Sequence, residues 1–271
     1  MKALIKKNTL VTYYLLAVII TTAVSLPLIL STQGIIAQQV SPEWHPLGAL
    51  GPILAACLTA YFVRSKTGLS DYIKTLRDTK FSLKLFLFSL SPMLICPIVA
   101  IVVSLFSKST GQGLTQLSPV WWISMLVASL AYGIGEEAGW RGFALPRLQA
   151  RMNAWWSIFV LTIFHALWHI PFFFYRLQFD GIGATIGFFI GMLAGGIFMT
   201  FLYNESGGKT LLPIIFHTAI NVNSQLAFAT RPEIAYATST ILMIAAVVVV
   251  IVFRPTNLAT QPRFSVDDSV Q

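Results

Sequence analysis

Residues 121–146, WWISMLVASLAYGIGEEAGWRGFALP, decide the fold of this chain. A long apolar run of the kind that spans a membrane leads directly into two adjacent glutamates and an arginine. Placing one charged side chain at the centre of a membrane helix costs about 2.5–3.5 kcal/mol. Glu136, Glu137 and Arg141 therefore need partners, and such residues mark a functional site by default.

The composition of the whole chain indicates a helical membrane protein. Of its 271 residues, 56% are hydrophobic and only 10% are charged, whereas a soluble domain carries about 25% charged residues. Apolar stretches of about 20 residues, long enough to cross the hydrocarbon core as a helix, recur along the chain. We therefore predict an all-α, polytopic transmembrane bundle of about eight spans: 10–31, 47–63, 84–106, 120–140, 155–175, 183–203, 210–229 and 234–253.

The net charge of +8 reports the topology of these spans. With a cytoplasmic N-terminus, the outside loops hold only Lys108, Arg176 and Arg231 of the 18 Lys and Arg residues. This asymmetry obeys the positive-inside rule and predicts that both termini are cytoplasmic. The basic balance therefore gives no reason to expect nucleic acid. We expect the partners to be the lipid bilayer and a membrane-associated protein or peptide, and the location to be the bacterial cell membrane.

The chain divides into four parts. Residues 1–119 hold the first three spans, with a polar connection over 64–84 that predicts a short amphipathic helix on the cytoplasmic surface. Residues 120–230 hold spans four to seven, residues 231–253 hold the last span, and residues 254–271 are expected to be a disordered cytoplasmic tail.

Small residues inside the spans have packing interpretations. Gly187, Gly191 and Gly195 follow one another at four-residue intervals, a spacing that lets helix backbones approach closely. Cys57 and Cys96 both lie in predicted spans, so neither a disulfide framework nor a metal knuckle is expected from them.

The ionisable residues inside the predicted spans are confined to spans four, five and seven. Glu136 and Glu137 lie in span four, His165 and His169 in span five, and His217 in span seven. Their concentration on three helices predicts a single site.

Helix geometry separates the residues of this predicted site. Glu137 and Arg141 are four residues apart and can form a structural ion pair on one face. Glu136 points about 100° away and has no local partner, which suits a chemical role. His165 shares a face with His169, and His217 shares one with Asn221.

These residue types can hydrolyse a peptide bond without a covalent intermediate. A carboxylate near a histidine can activate water as a general base, and a second histidine with an amide can stabilise an oxyanion. The sequence has no Ser or Cys nucleophile elbow, and HALWH (165–169) lacks the glutamate of the zincin motif.

The same residues resemble the motifs of the CPBP intramembrane proteases, the family of the type II CAAX prenyl endopeptidases, also called the Abi family. The motif EExxxR appears as Glu136, Glu137 and Arg141; the motif FxxxH ends at His169; and the last motif appears as His217 and Asn221. The resemblance covers residues 120–223, roughly, and leaves the first three spans and the tail outside it.

The resemblance implies that Glu136 activates water with help from His169, and that His217 and Asn221 form the oxyanion site. One position departs from the family pattern, because His165 stands where FxxxH has phenylalanine. His165 is then either passive packing or a second-shell partner of the site.

Metal dependence stays open at this point, since members of the family have been described both as metalloproteases and as glutamate-dependent proteases. If zinc is present, Glu136, His169 and His217 are the candidate ligands. Asn221 favours the alternative without metal, because an amide is a poor zinc ligand and a good oxyanion donor.

Two other functions compete with a membrane endopeptidase. The first is a non-catalytic bacteriocin-immunity or partner-binding protein, because family relatives are linked to immunity. The second is a proton-coupled transporter that uses Glu136 and the histidines as a relay. Transport is the weaker alternative, because the chain shows no internal repeat.

Overall fold

The computed structural model describes residues 2–106, 117–177 and 181–266, and every regular element in these ranges is a helix. The predicted all-α class is confirmed. The α-helices are α1 (Lys2–Lys7), α2 (Thr9–Thr32), α3 (Gly51–Arg77), α4 (Leu83–Ser89), α5 (Pro92–Phe106), α6 (Pro119–Gly139), α7 (Leu145–Gln149), α8 (Ala154–Trp168), α9 (Ile182–Glu205), α10 (Leu211–Thr230) and α11 (Pro232–Asn257). Two 3₁₀ segments, Pro42–Leu50 and Ile170–Phe174, precede α3 and follow α8.

Five helical segments of the described ranges are long and apolar enough to cross a membrane, and the bent pair α4–α5, which meets at 45°, makes a sixth if it counts as one span. The protein is therefore an integral, multi-pass membrane protein. The helices α6 and α10 occupy two further predicted spans but are less apolar, because α6 carries Glu136 and Glu137 and α10 carries His217 and two asparagines. The total of eight spans stays a prediction.

Helix α6 does not stop where the sequence predicted its end. A π-helical segment, Trp140–Ala144, carries it without a break into α7, so one helical run extends from residue 119 to residue 149. At its other end, the Ser118 side chain caps the run by accepting a hydrogen bond from the N–H of Trp121 (3.1 Å). Single π-helical turns inside α-helices are frequent at functional sites.

The polar connection after the second predicted span is mostly helical. Helix α3 bends at Arg64 and Ser65, whose backbone is not helical (φ of Ser65 is +56°), and then continues to Arg77. The buried Tyr72 on this second part donates a hydrogen bond from its hydroxyl to the carbonyl oxygen of Ala138 (2.8 Å). The connection therefore supports the end of α6 as well as presenting charges to the surface.

An ion pair fastens the end of this connection to the turn before α10. The ammonium of Lys209 binds the carboxylate of Asp78. The hydrogen bond from Lys209 holds the pKa of the Asp78 carboxyl below its usual value.

The first helices and the later ones share one hydrophobic core. Tyr13 of α2 has no exposed surface, and its ring lies 5.6 Å from Trp140 and 5.1 Å from Phe143, measured between ring centroids. The π-helical segment is therefore packed against the N-terminal part of the chain, which the sequence motifs did not include.

The C-terminal segment differs from the disorder that we expected. Residues 258–266 fold back against the end of α7, where the side-chain amide of Gln149 donates to the carbonyl oxygen of Phe264 (2.7 Å). The Arg263 Nε–H donates in turn to the carbonyl oxygen of Gln149 (3.0 Å). Short polar segments are expected to be disordered when they have nothing to bind, and here the helix ends supply unpaired groups. Residues 267–271 lie outside the described residues.

The glycine stripe of α9 also differs from its prediction. A Cβ built on Gly187 would have no atom of the described residues within 4 Å, and one on Gly191 would make only an ordinary contact with Met243 (3.4 Å). The stripe is therefore not a close helix–helix contact within the described part of this chain.

We predict that a fluorescent protein fused after Gln271 is bright and that alkaline phosphatase fused there is inactive, because the positive-inside rule places the C-terminus in the cytoplasm. Alkaline phosphatase fused after Gln38, between α2 and the first 3₁₀ segment, is the matched control and should be active. The opposite pattern would reverse the assigned orientation.

Candidate active site

Glycines let α6 lie against its neighbours at backbone distance. A Cβ on Gly133 would lie 2.1 Å from Oγ1 of Thr218 and 2.9 Å from the carbonyl oxygen of Ile214, both on α10. A Cβ on Gly135 would lie 2.2 Å from the carbonyl oxygen of Ala49. Only glycine fits at these points, so α6 is held tightly between α10 and the 3₁₀ segment Pro42–Leu50.

Glu137 is the most enclosed charged residue of the site, with no exposed surface. Nη1 of Arg141 lies 2.9 Å from its Oε1 and 2.8 Å from its Oε2. Nδ1 of His217, on α10, lies 2.8 Å from the same Oε1. Because a carboxylate only accepts hydrogen bonds, the histidine carries a hydrogen on Nδ1. The ion pair between Glu137 and Arg141 is thus formed, and His217 of α10 also binds its carboxylate.

Glu136, one residue earlier, faces α8. Nε2 of His165 lies 2.8 Å from its Oε2, and the Glu136 and His165 side chains are only 7% and 12% exposed. Oε1 of Glu136 has no hydrogen-bond partner among the described residues and is not fully enclosed. The sequence left Glu136 without a partner on its own helix, and the fold supplies one from α8.

His169 lies at the end of α8, one turn after His165. Its Nδ1 is 2.9 Å from the carbonyl oxygen of His165, and a carbonyl only accepts, so Nδ1 carries the hydrogen. In the neutral ring, Nε2 is therefore the nitrogen with a free lone pair. The two imidazole rings lie 4.9 Å apart between centroids, which places His169 beside the Glu136–His165 pair.

Two contacts fix how α10 runs along α6, and Asn221 lies between them. His217 contacts Glu137, and Gln225 donates from Nε2 to Oγ of Ser129 (2.9 Å). Asn221 is four residues from each of His217 and Gln225, so it shares their face of α10. Its half-buried side chain has no hydrogen-bond partner within the described ranges.

The continuous helical run from residue 119 to residue 149 changes the depth of Glu136, measured from the cytoplasmic end of its helix. With the predicted span ends at residues 140, 210 and 155, a rise of 1.5 Å per residue puts Glu136 about 6 Å, His217 about 11 Å and His169 about 21 Å from the cytoplasmic boundary. The run ends instead at Gln149, so Glu136 lies roughly 20 Å from its end on the same arithmetic. Glu136 and His169 therefore meet at a similar depth.

The charges of the site nearly balance. Glu136 and Glu137 carry two negative charges and Arg141 carries one positive charge, which leaves one negative charge. Each carboxylate also contacts an imidazole, His165 or His217. One additional proton on the His217 ring makes the whole group neutral, the state that a low-dielectric interior favours.

His45 lies between the first two predicted spans, and the structure places it close to the site. His45 is 7% exposed, and its Nδ1 lies 2.6 Å from the hydroxyl of Tyr175. Phe172 contacts both the His45 ring and the His169 ring, at 4.8 Å and 5.5 Å between centroids. In the sequence, the aromatic run 172–175 was a signal for this part of the site, because a cluster of aromatic rings can cover one side of a polar site.

The described residues contain no group of three His, Cys, Asp or Glu side chains arranged to hold a metal ion. Nδ1 of His169, Nδ1 of His217 and Oε2 of Glu136 all bind protein groups instead. These bonds leave Nε2 of both histidines and Oε1 of Glu136 without a protein partner among the described residues, and metal dependence stays a prediction.

Comparison with known proteins indicates which class of protein this chain resembles. Residues 118–223 match the family described as type II CAAX prenyl endopeptidase Rce1-like. This matched core of the chain is similar to that family. The core begins at the capping residue of α6 and ends within α10, so it contains Glu136, His169, His217 and Asn221.

A curated relative supports the same class. The protein named CAAX prenyl protease 2 from Methanococcus maripaludis is 27% identical over 222 residues, which cover 74% of this chain and 79% of the relative. The resemblance read from the sequence motifs is confirmed, and the two matches support an enzyme of the protease class.

We predict that Glu137→Gln and Arg141→Ala lower the stability of the folded protein, because each strands a buried charge. Breaking a buried ion pair in this way costs about 3–5 kcal/mol. Glu136→Gln is the matched control: its amide oxygen still accepts from His165, so we expect a change of about 1 kcal/mol or less. Thermal midpoints of the purified variants in detergent test the difference, and equal midpoints for all three would contradict it.

Proposed function

We propose that this protein is an intramembrane endopeptidase that hydrolyses a peptide bond in a membrane-associated protein or peptide. The observation that carries the proposal is the state of Glu136: a nearly buried carboxylate with one oxygen bound to His165 and the other open. Such a group beside the free nitrogen of His169 can hold and activate water.

In the proposed first step, Oε1 of Glu136 and Nε2 of His169 accept the two hydrogen bonds of a water molecule. Glu136 takes one proton as the water oxygen attacks the carbonyl carbon of the substrate, and the carbonyl oxygen becomes an oxyanion. Because the two acceptors have fixed positions, they hold the water in the orientation that attack requires. The entropy cost of orienting it during the reaction is therefore reduced.

Asn221 and His217 are the proposed donors to the oxyanion. The side-chain amide of Asn221 has two N–H groups and no protein acceptor for them among the described residues. His217 already donates from Nδ1 to Glu137, so its Nε2 can donate only when the ring is doubly protonated. The adjacent Glu137 carboxylate stabilises that imidazolium, and Arg141 keeps the carboxylate in place.

In the second step, protonated Glu136 gives its proton to the nitrogen of the leaving amine. The C–N bond breaks, the carbonyl re-forms as a carboxylic acid, and Glu136 returns to the carboxylate. One water has been consumed for one peptide bond, and no covalent intermediate with the protein is formed.

The substrate class follows from where the site lies. Glu136, His169 and His217 belong to helices of a membrane bundle, so the scissile bond has to reach them from a membrane-anchored or membrane-inserted chain. We propose the bacterial cell membrane as the location. The name of the archaeal relative makes a prenylated peptide the first substrate to test; a bacteriocin precursor and an unprenylated membrane-anchored protein are the other arms of that test.

We predict that Glu136→Gln lowers turnover by a factor of about 10²–10⁴, because the amide keeps the shape of the side chain but cannot take a proton. Comparing the membrane peptidomes of cells that carry the wild type or Glu136→Gln identifies the substrate in the same experiment. Near-normal turnover by Glu136→Gln would remove the general base from the proposal. An immunity protein or another binding protein would keep its phenotype in this variant.

We predict that Asn221→Ala lowers kcat by a factor of about 10²–10³, the usual cost of removing one oxyanion donor. Asn223→Ala is the matched control on the same helix, since Asn223 donates to the carbonyl oxygen of Ala219 within α10 (3.0 Å). We expect the control to stay within about threefold of the wild type. Equal losses in the two variants would indicate helix damage and would overturn the assignment of Asn221.

A further inference from the structure

His165 occupies the one motif position at which this chain departs from its family pattern. Where FxxxH has phenylalanine, the chain places a ring with a hydrogen-bond donor, and Nε2 of that ring lies 2.8 Å from Oε2 of Glu136. A phenylalanine at this position could contact Glu136 but could not bind it.

We propose that His165 is the positioning residue of the general base: it donates from Nε2 to Oε2 of Glu136 and so turns Oε1 toward the water. This inference rests on the proposed function. Without His165, Glu136 has no hydrogen-bond partner among the described residues, and its carboxylate is free to rotate.

The backbone of His165 holds the second water-binding residue. Its carbonyl oxygen accepts the Nδ1–H of His169 at 2.9 Å, which leaves the lone pair of His169 on Nε2. The side chain of His165 therefore orients Glu136, and its backbone orients His169. A side-chain substitution removes the first function and leaves the second, so the two can be separated by experiment.

The His165 ring is itself held on a rigid support. Its centroid lies 5.0 Å from that of the Trp140 ring and 5.7 Å from that of the Trp168 ring, and both tryptophans are at most 1% exposed. Trp168 is fixed in turn, because its indole N–H donates to Oγ1 of Thr21 (2.8 Å), which donates to the carbonyl oxygen of Gly48 (2.9 Å). A ring fixed in this way can fix the carboxylate that it binds.

The test compares His165→Phe with His165→Gln. Phenylalanine keeps an aromatic ring between the tryptophans but removes the donor, whereas glutamine loses the ring but keeps an N–H that can reach Glu136. We expect His165→Phe to lower kcat by about 10²-fold, the scale of a small misplacement of a reacting group. KM should stay within about twofold, because substrate binding is untouched.

Rescue by the donor distinguishes positioning from packing. We expect His165→Gln to recover kcat to within about tenfold of the wild type, even if its thermal midpoint is lower than that of His165→Phe. Wild-type kcat in His165→Phe, or equal losses in both variants, would overturn the inference.

A double variant separates this inference from the proposed function. In the Glu136→Gln background, His165→Phe should cause no further loss of turnover, because the base that it positions is already gone. A further loss of turnover in that background would overturn the positioning role. If Glu136→Gln is itself fully active, the proposed function fails; if Glu136→Gln is inactive while His165→Phe is normal, only the role of His165 fails.

Discussion

The carboxylate of Glu137 has no contact with solvent, so its charge has to be balanced by side chains that reach it through the packed interior. Arg141 reaches it from the π-helical segment and His217 reaches it from α10. Because an unpaired buried charge is so costly, this one group fixes the rotation of the π-helical turn, the register of α10 and the closeness of the two helices. Gly133 makes that closeness possible.

The same arrangement leaves Oε1 of Glu136 without a protein partner among the described residues. It is adjacent in sequence but points about 100° away, so the charges that neutralise Glu137 do not enclose it. Its partner, His165, lies 2.8 Å from Oε2 of Glu136. Glu137 therefore joins the helices, and Glu136 keeps one carboxylate oxygen without a protein partner in the described part of the chain.

Much of this could be predicted from the sequence because the relevant signals are local. The spacing of Glu137 and Arg141, the shared face of His217 and Asn221, and the apolar composition depend only on helix geometry and residue type. The chemistry assigned to Glu136, His169, His217 and Asn221 stays a prediction.

What the sequence could not supply depends on contacts between distant segments. The partner of Glu136 comes from α8, and the order of residues 258–266 depends on Gln149, more than a hundred positions away. The π-helical continuation of α6 is stabilised by Tyr13 and its neighbours, which lie outside the motif region. The absence of any described atom near Gly187 could not be predicted. Glycine spacing shows that another helix can approach closely, but it does not show that such a helix is present.

The contact between the C-terminal segment and α7 sets an order of events during synthesis. Gln149 binds Asn204 at 2.9 Å as well as Phe264, and Phe264 follows α11 in the chain. A nascent chain that has already inserted α6 to α10 contains Asn204 but still lacks Arg263 and Phe264, which bind the end of the helical run carrying Glu136. The end of the helical run that bears both glutamates therefore gains its last contacts only after α11 has been synthesised, although α6 itself is made before α8 to α11.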